Sequence, residues 1–303
     1  MKQPTAQNAK TPPTALNFPS LLLFCALAVT SLLFWRGPLA ATLSLARHDE
    51  QYTHILLIVP IAIALVVLDW KSQDSIFRPS LGMGSLMLLA VLADIAAPKI
   101  SQLPDVQLSV RMLAFVLWSI SAFTLCFGAR AFRQASFPLL FLLWTVPFPD
   151  FVVNAIVSGL QQSSALAAHA IFVLARVPVE QRGLLIHIPD LTLEVAPECS
   201  SIRSSLVLVV TTMVLAHLLL RTWWSKLLLI ALAIPVAIAK NGLRIFVLGY
   251  LAIRVDRTYL AGRLHHQGGF IFFLIALAAV FLLLWILRRG ETKEPGTESQ
   301  ISV

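Results

Sequence analysis

Charged residues are scarce in this chain of 303 residues, at 13% of the total, where soluble domains carry about 25%. Apolar residues make up 58%, with a mean hydropathy of +0.82, which excludes a soluble globular protein. The net charge of +8 is spread thinly between apolar blocks, which excludes a disordered or nucleic-acid-binding tail. Because a span needs about 20 apolar residues, we predict an all-α polytopic membrane protein with about eight transmembrane helices.

Cysteine is also rare, and the three residues present exclude a disulfide framework. Cys25 and Cys126 lie within apolar runs and are predicted to be small core residues. Cys199 lies at the edge of such a run in polar company, where a thiolate can form and react. Neither an HExxH nor a CxxC spacing occurs, so we predict neither a metal nor a cofactor.

The chain is organised around its apolar runs. Residues 1–17 are polar and predict a disordered cytoplasmic tail, residues 18–287 a single transmembrane domain, and residues 288–303 a cytoplasmic C-terminal tail. The run 18–35 is too long for a signal peptide and lacks a convincing cleavage site, so we expect a first span there. The later apolar runs cover residues 55–70, 81–97, 112–128, 137–151, 202–220, 227–250 and 268–287.

One insert interrupts this pattern. Residues 152–176 carry Gln161, Gln162, Ser163, Ser164 and His169 among apolar residues, which favours an interfacial amphipathic helix over a span. Leu184–Ile188 and Leu191–Val195 then predict a β-hairpin. With eight spans, slightly more lysines and arginines lie inside than outside, whereas nine spans reverse the balance. The positive-inside rule therefore favours eight spans with both termini cytoplasmic.

In this topology, three side chains that can take part in catalysis lie at the outer, non-cytoplasmic boundary of the membrane. Cys199 stands at the start of one helix, Arg244 lies near the outer end of the next, and His265 opens the last. A helix N-terminus lowers the pKa of a thiol, and Arg203, four residues on, can add positive field or simply extend to lipid headgroups. A thiol, an imidazole and a guanidinium together suit acyl transfer.

Alternatives remain open for each residue. Arg244 shares its helix face with Lys240 and Asn241, and it can serve function or pair structurally with Asp94 or Glu198. Asp94 itself is expected to be a structural partner rather than a catalyst. His265 and His266 can be plain interfacial residues or metal ligands with Cys199. His265 is the expected base, with His266 as the second choice.

These residues resemble the exosortase/archaeosortase family of membrane cysteine transpeptidase-proteases. Its motifs correspond here to Cys199-Ser-Ser-Ile-Arg203, Asn241-Gly-Leu-Arg244 and Leu-His265-His-Gln-Gly-Gly269, and Glu50-Gln-Tyr-Thr-His54 is similar to its N-terminal segment. The resemblance implies Cys199 as nucleophile, Arg244 as transition-state stabiliser and His265 as general acid/base, with Arg203, Asn241 and His266 in support. Ser201 stands where the family usually has glycine.

The resemblance also implies substrates and a location. The expected substrates are secreted proteins with a C-terminal signal of the PEP-CTERM type: a Pro-Glu-Pro motif, a transmembrane helix and a basic cluster. Cleavage is expected on the periplasmic side of a bacterial inner membrane, through a thioester that passes to water or to a membrane-borne acceptor. No nucleic-acid partner is expected.

Two other classes of protein fit parts of the pattern. A lipid-linked sugar enzyme or polymerase of exopolysaccharide export is also polytopic, with outward arginine and histidine, but needs no cysteine. A transporter predicts inverted repeats and polar residues near mid-bilayer, and the sequence has neither.

Overall fold

The computed structural model describes residues 18–69, 81–189, 191–195, 202–255 and 269–292. These residues form helices joined by short turns, together with one small sheet. The helices are α1 (Phe18–Phe34), α2 (Arg36–His48), α3 (Ile55–Asp69), α4 (Leu81–Ile100), α5 (Pro104–Gln134), α6 (Ser136–Phe141), α7 (Asp150–Leu174), α8 (Ile202–Leu219), α9 (Trp223–Arg254) and α10 (Gly269–Thr292). The strands are β1 (Glu180–Arg182), β2 (Leu185–Ile188) and β3 (Leu191–Glu194).

The helices confirm an all-α polytopic membrane protein. In the described parts of the chain, seven helices are long and apolar enough to cross a bilayer: α3 with the turn before it, α4, α5, α7, α8, α9 and α10. The pair α1 and α2 passes the same test jointly but bends by 72° at Trp35. Counting that pair as one span gives eight spans. The run 18–35, predicted as the first span, corresponds to α1, the first helix of this bent pair.

The span expected over residues 137–151 is wrong. Helix α6 ends at Phe141, and only a 3-10 turn, Leu142–Thr145, follows it. Pro147 and Pro149 explain the early end, because a proline removes a backbone donor and forces the residue before it out of helical geometry. Hydropathy alone does not register this break.

Helix α7 also differs from its predicted character. It has 25 residues and the length and composition of a span, where an interfacial helix was expected. Two of its polar side chains bond within the protein: Gln161 Nε2 donates to the carbonyl of Val195 at 2.8 Å, and Ser164 Oγ accepts from Asn241. These two residues therefore belong to a packing face, which a sequence cannot distinguish from a face turned to headgroups.

The chain divides into two compact units, one ending at Asp150 and the other beginning at Phe151. In the first unit, a cluster of buried residues surrounds Cys126, which is a core residue as predicted. Cys25 is exposed on α1, so the prediction of a core position for it is wrong. Helix α5 kinks at Gly128, whose φ of 84° lies in the region that glycine alone adopts readily.

In the second unit, α8, α9 and α10 share an apolar core that includes Leu208, Leu229 and Val280, all fully buried. The Glu291 carboxylate accepts hydrogen bonds from the backbone N–H groups of Arg221 and Thr222 at 3.0 and 2.9 Å. These bonds fix the end of α10 to the turn that precedes α9.

The predicted hairpin is confirmed, with β2 and β3 antiparallel and Ile186 opposite Leu193. A strand that the sequence analysis missed, β1, pairs with the other edge of β2. The sheet packs with α7 and α9 in one apolar cluster that includes Phe172, Ile186 and Ile245. The sheet and α7 are thus bound to the C-terminal half of α9.

Candidate active site

A polar stripe crosses the otherwise apolar helix α9. Lys240 is 4% exposed and Asn241 only 1%, and Arg244 is half-buried one turn further on. An ionised side chain at the centre of a membrane helix costs about 2.5–3.5 kcal/mol on insertion scales. Such a stripe is retained only where the protein compensates that cost or uses the groups.

The length of α9 indicates how deep this stripe lies. The helix starts with Trp223 and Trp224, both exposed, and tryptophans are enriched at membrane–water boundaries. At 1.5 Å per residue, Asn241 lies about 27 Å from that start, close to the roughly 30 Å thickness of the hydrocarbon core. By length alone, the stripe therefore falls near the boundary opposite the two tryptophans.

Lys240 connects α9 to the beginning of α8. Its ammonium donates a hydrogen bond to the Ser204 hydroxyl, in the first turn of α8, next to Arg203. Arg203 itself is exposed. The bond between Lys240 and Ser204 therefore joins α9 directly to α8. This pair of helices carries three cations here: Lys240 and Arg244 on α9, and Arg203 on α8.

Asn241 connects α9 to α7. Its Nδ2 donates to Ser164 Oγ at 2.9 Å, and Ser164 is fully buried. Within the described residues, Asn241 Oδ1 is a buried acceptor without a hydrogen-bond partner. Ser164 thus holds the amide nitrogen of Asn241, while the amide oxygen is left to accept a further hydrogen bond.

Gly242 makes this contact possible. A Cβ added at Gly242 would lie 2.6 Å from the Ala167 Cβ and 3.0 Å from the Ala168 backbone nitrogen. Small residues allow membrane helices to approach this closely. Gly249 plays the same part seven residues later, where a Cβ would meet Leu193 Cδ1 at 2.6 Å and Phe172 Cζ at 3.0 Å.

These contacts fix both chain positions that flank Cys199. On one side, Gln161 holds the carbonyl of Val195. On the other, Lys240 holds Ser204 near the start of α8. Val195 and Ser204, which stand on either side of Cys199 in the sequence, are therefore both held by polar side chains of α7 and α9.

The predicted site residues divide into two groups. Cys199, His265 and His266 lie outside the described residues, as does Glu198, one of the suggested partners of Arg244. Arg203, Asn241 and Arg244 are described, and Asn241 and Arg244 share the stripe with Lys240. The sequence indicates Lys240 but neither its partner Ser204 nor the role of Ser164, because no spacing rule links residues of different helices.

Other residues that the sequence analysis selected have structural partners in the first unit. Asp94 accepts a hydrogen bond from Trp35 Nε1 at 3.0 Å and lies 4.0 Å from Arg111 Nε, as expected of a structural partner. His54 is 3% exposed and packs edge-on against Trp144. Among the described residues, no three histidine, cysteine or acidic side chains are grouped closely enough to hold a metal ion.

Comparison with known proteins gives one match. The family model described as transmembrane exosortase covers residues 42–282, well over half of the chain. That range includes every residue of the stripe and all three predicted reactive residues. The search of curated proteins and the search of solved structures gave no match.

Proposed function

The chain belongs to the transmembrane exosortase family, and on that premise we propose that it is a membrane cysteine peptidase or transpeptidase. Its substrates are secreted proteins whose C-terminal signal combines a PEP-CTERM type motif, a transmembrane helix and a basic cluster. The observation that carries the proposal is the buried stripe of α9, tied by Lys240 to the first turn of the helix that follows Cys199.

The proposed reaction uses three residues. The Cys199 thiolate attacks the scissile carbonyl carbon, and Arg244 stabilises the negative charge that forms on its oxygen. The imidazole of His265, or of His266 in its place, takes the proton of the Cys199 thiol, and the resulting imidazolium gives that proton to the leaving amine as the C–N bond breaks. Water or a membrane-borne nucleophile resolves the thioester and releases Cys199.

The family's topology and the depth of the stripe support a site on the periplasmic side of a bacterial inner membrane. A substrate anchored by its own transmembrane helix arrives there with its motif next to the bilayer boundary. The sheet offers an edge: over the described residues, β3 has one hydrogen-bonded neighbour, β2, and β3 ends at Glu194, five residues before Cys199 in the sequence. An extended motif can add to that edge as a further strand.

The test is processing in cells. A tagged secreted protein carrying a Pro-Glu-Pro type signal is co-expressed with the enzyme, and its shortening is followed by blot. We expect Cys199→Ala, Arg244→Ala and His265→Ala each to abolish the shortened product at wild-type expression levels. Matched controls are Cys25→Ala, which changes an exposed cysteine, and Arg254→Ala, at the exposed end of the same helix α9.

The outcomes separate the proposal from its rival. Processing that survives Cys199→Ala refutes the cysteine mechanism. If the wild-type protein leaves every such signal intact and Cys199→Ser retains an effect on exopolysaccharide export, the lipid-linked sugar enzyme is the better reading. Comparing His265→Ala with His266→Ala decides which imidazole carries the proton.

A further inference from the structure

Lys240 is a buried cation whose compensation within the described chain is incomplete. Its ammonium has three donors, and one of them bonds to Ser204 Oγ. No carboxylate among the described residues pairs with it. The nearest charge on its own helix, Arg244, is of the same sign and one turn away.

This arrangement is electrostatically suited to an anion. Two cations four residues apart on one helix face repel each other, and burial strengthens that repulsion because the surroundings are less polar. An anionic group beside Lys240 would offset this repulsion and use the remaining donors of its ammonium. Ser204 meanwhile fixes the position of the ammonium, so the site is organised before the anion arrives.

We propose that Lys240 is a specificity-determining residue that binds a carboxylate side chain of the substrate beside the scissile bond. This inference rests on the proposed function, in which the substrate motif contains one glutamate. A single ammonium held by a hydroxyl suits one carboxylate oxygen. Phosphate sites generally use bidentate arginine forks or arrays of backbone N–H groups. Arg244 keeps its proposed role in the reaction itself.

The experiment is a double-mutant cycle between enzyme and substrate. Initial processing rates are measured for wild-type enzyme and Lys240→Met, each with the motif glutamate intact or changed to glutamine. We expect Glu→Gln to slow the wild-type enzyme about 10- to 100-fold, as for loss of a hydrogen bond between charged groups. The Lys240→Met enzyme should be slow on both substrates and should process them at equal rates.

Two further variants make the result specific. Lys240→Arg keeps the charge and should retain a preference for glutamate over glutamine. Lys226→Met removes a lysine from the opposite end of α9 and should behave as wild type. If Lys240→Met fails to accumulate in the membrane, Lys240→Gln replaces it, since an amide can still bond to Ser204 without carrying charge.

Several outcomes overturn the inference. If Lys240→Met retains the wild-type preference for glutamate, the two changes are additive and Lys240 is only structural. A second cycle combines Lys240→Met with Glu198→Gln in the enzyme. If the effects of these two changes on the processing rate are not additive, while those of Lys240→Met and the substrate change Glu→Gln are additive, the counter-ion of Lys240 is Glu198 of this chain. A result in which Cys199→Ala still processes the substrate refutes the proposed function as well. If Cys199→Ala abolishes processing but the effects of Lys240→Met and of the substrate change Glu→Gln are additive, only the proposed carboxylate site is refuted.

Discussion

Gly242→Ala is the most sensitive probe of how α7 and α9 meet. The added methyl group would lie 2.6 Å from the Ala167 Cβ and 3.0 Å from two backbone atoms of α7. Carbon atoms pack best at about 3.5–4.0 Å, so α7 must move away by about 1 Å. Backbone atoms cannot rotate aside as the end of a side chain can.

The magnitude follows from two opposing effects. Overpacking a tight contact costs about 1–3 kcal/mol, and replacing a helical glycine by alanine returns about 0.5–1 kcal/mol. A 1 Å shift also stretches the bond of 2.9 Å between Asn241 and Ser164 beyond hydrogen-bonding distance, which adds about 1–3 kcal/mol for buried groups. We expect a net loss of about 1–5 kcal/mol.

The assay is thermal unfolding of the detergent-solubilised protein, combined with the processing assay in cells. Gly159→Ala is the matched control, because it is on α7 and an added Cβ meets nothing within 4 Å. Ala167→Gly in the Gly242→Ala background removes the methyl group opposite and should restore part of the stability. Equal melting temperatures for Gly242→Ala and Gly159→Ala would refute the close contact.

Three further predictions concern polar contacts of the fold. Gln161→Leu leaves the Val195 carbonyl without its donor and should lower stability by about 1–3 kcal/mol; Gln162→Leu, at an exposed neighbour, should not, and equal melting temperatures of the two would contradict this. Asp94→Asn should keep the hydrogen bond from the Trp35 indole but lose the ionic contact with Arg111, so its melting temperature should lie above that of Asp94→Ala. The reverse order would show that the indole bond is not the main contribution of Asp94 to stability. Glu291→Ala removes the acceptor of both N–H groups at the start of α9, so hydrogen exchange of those two amides should rise while that of α5 stays unchanged; protection that persists at Arg221 and Thr222 would count against the bond.

The contacts of the site join three separate helices and depend on one another. Glycine at position 242 brings α7 close, Asn241 fixes its distance, and Lys240 binds the start of α8. Each contact constrains the others, because all three residues are consecutive on α9. A change at one of them should therefore affect the proposed reaction through position as well as through chemistry.

The sequence by itself determined the class of protein and most of its helices. The scarcity of charge excluded a soluble fold, and the apolar runs beginning at 55, 81, 202, 227 and 268 correspond, over the described residues, to α3, α4, α8, α9 and α10. The hairpin followed from two short strand-like runs, Leu184–Ile188 and Leu191–Val195. These features are local, so the sequence of each segment is sufficient to specify them.

Tertiary structure decided what each polar residue does. The polar residues of α7 were expected to face headgroups, but Ser164 faces α9 and Gln161 faces the chain at Val195. The break after α6 and the bend of 72° at Trp35 likewise depend on backbone geometry that hydropathy does not record. In a membrane, a buried polar group and a group at the headgroups satisfy the same hydropathy pattern, and only the position of a partner from another helix distinguishes them.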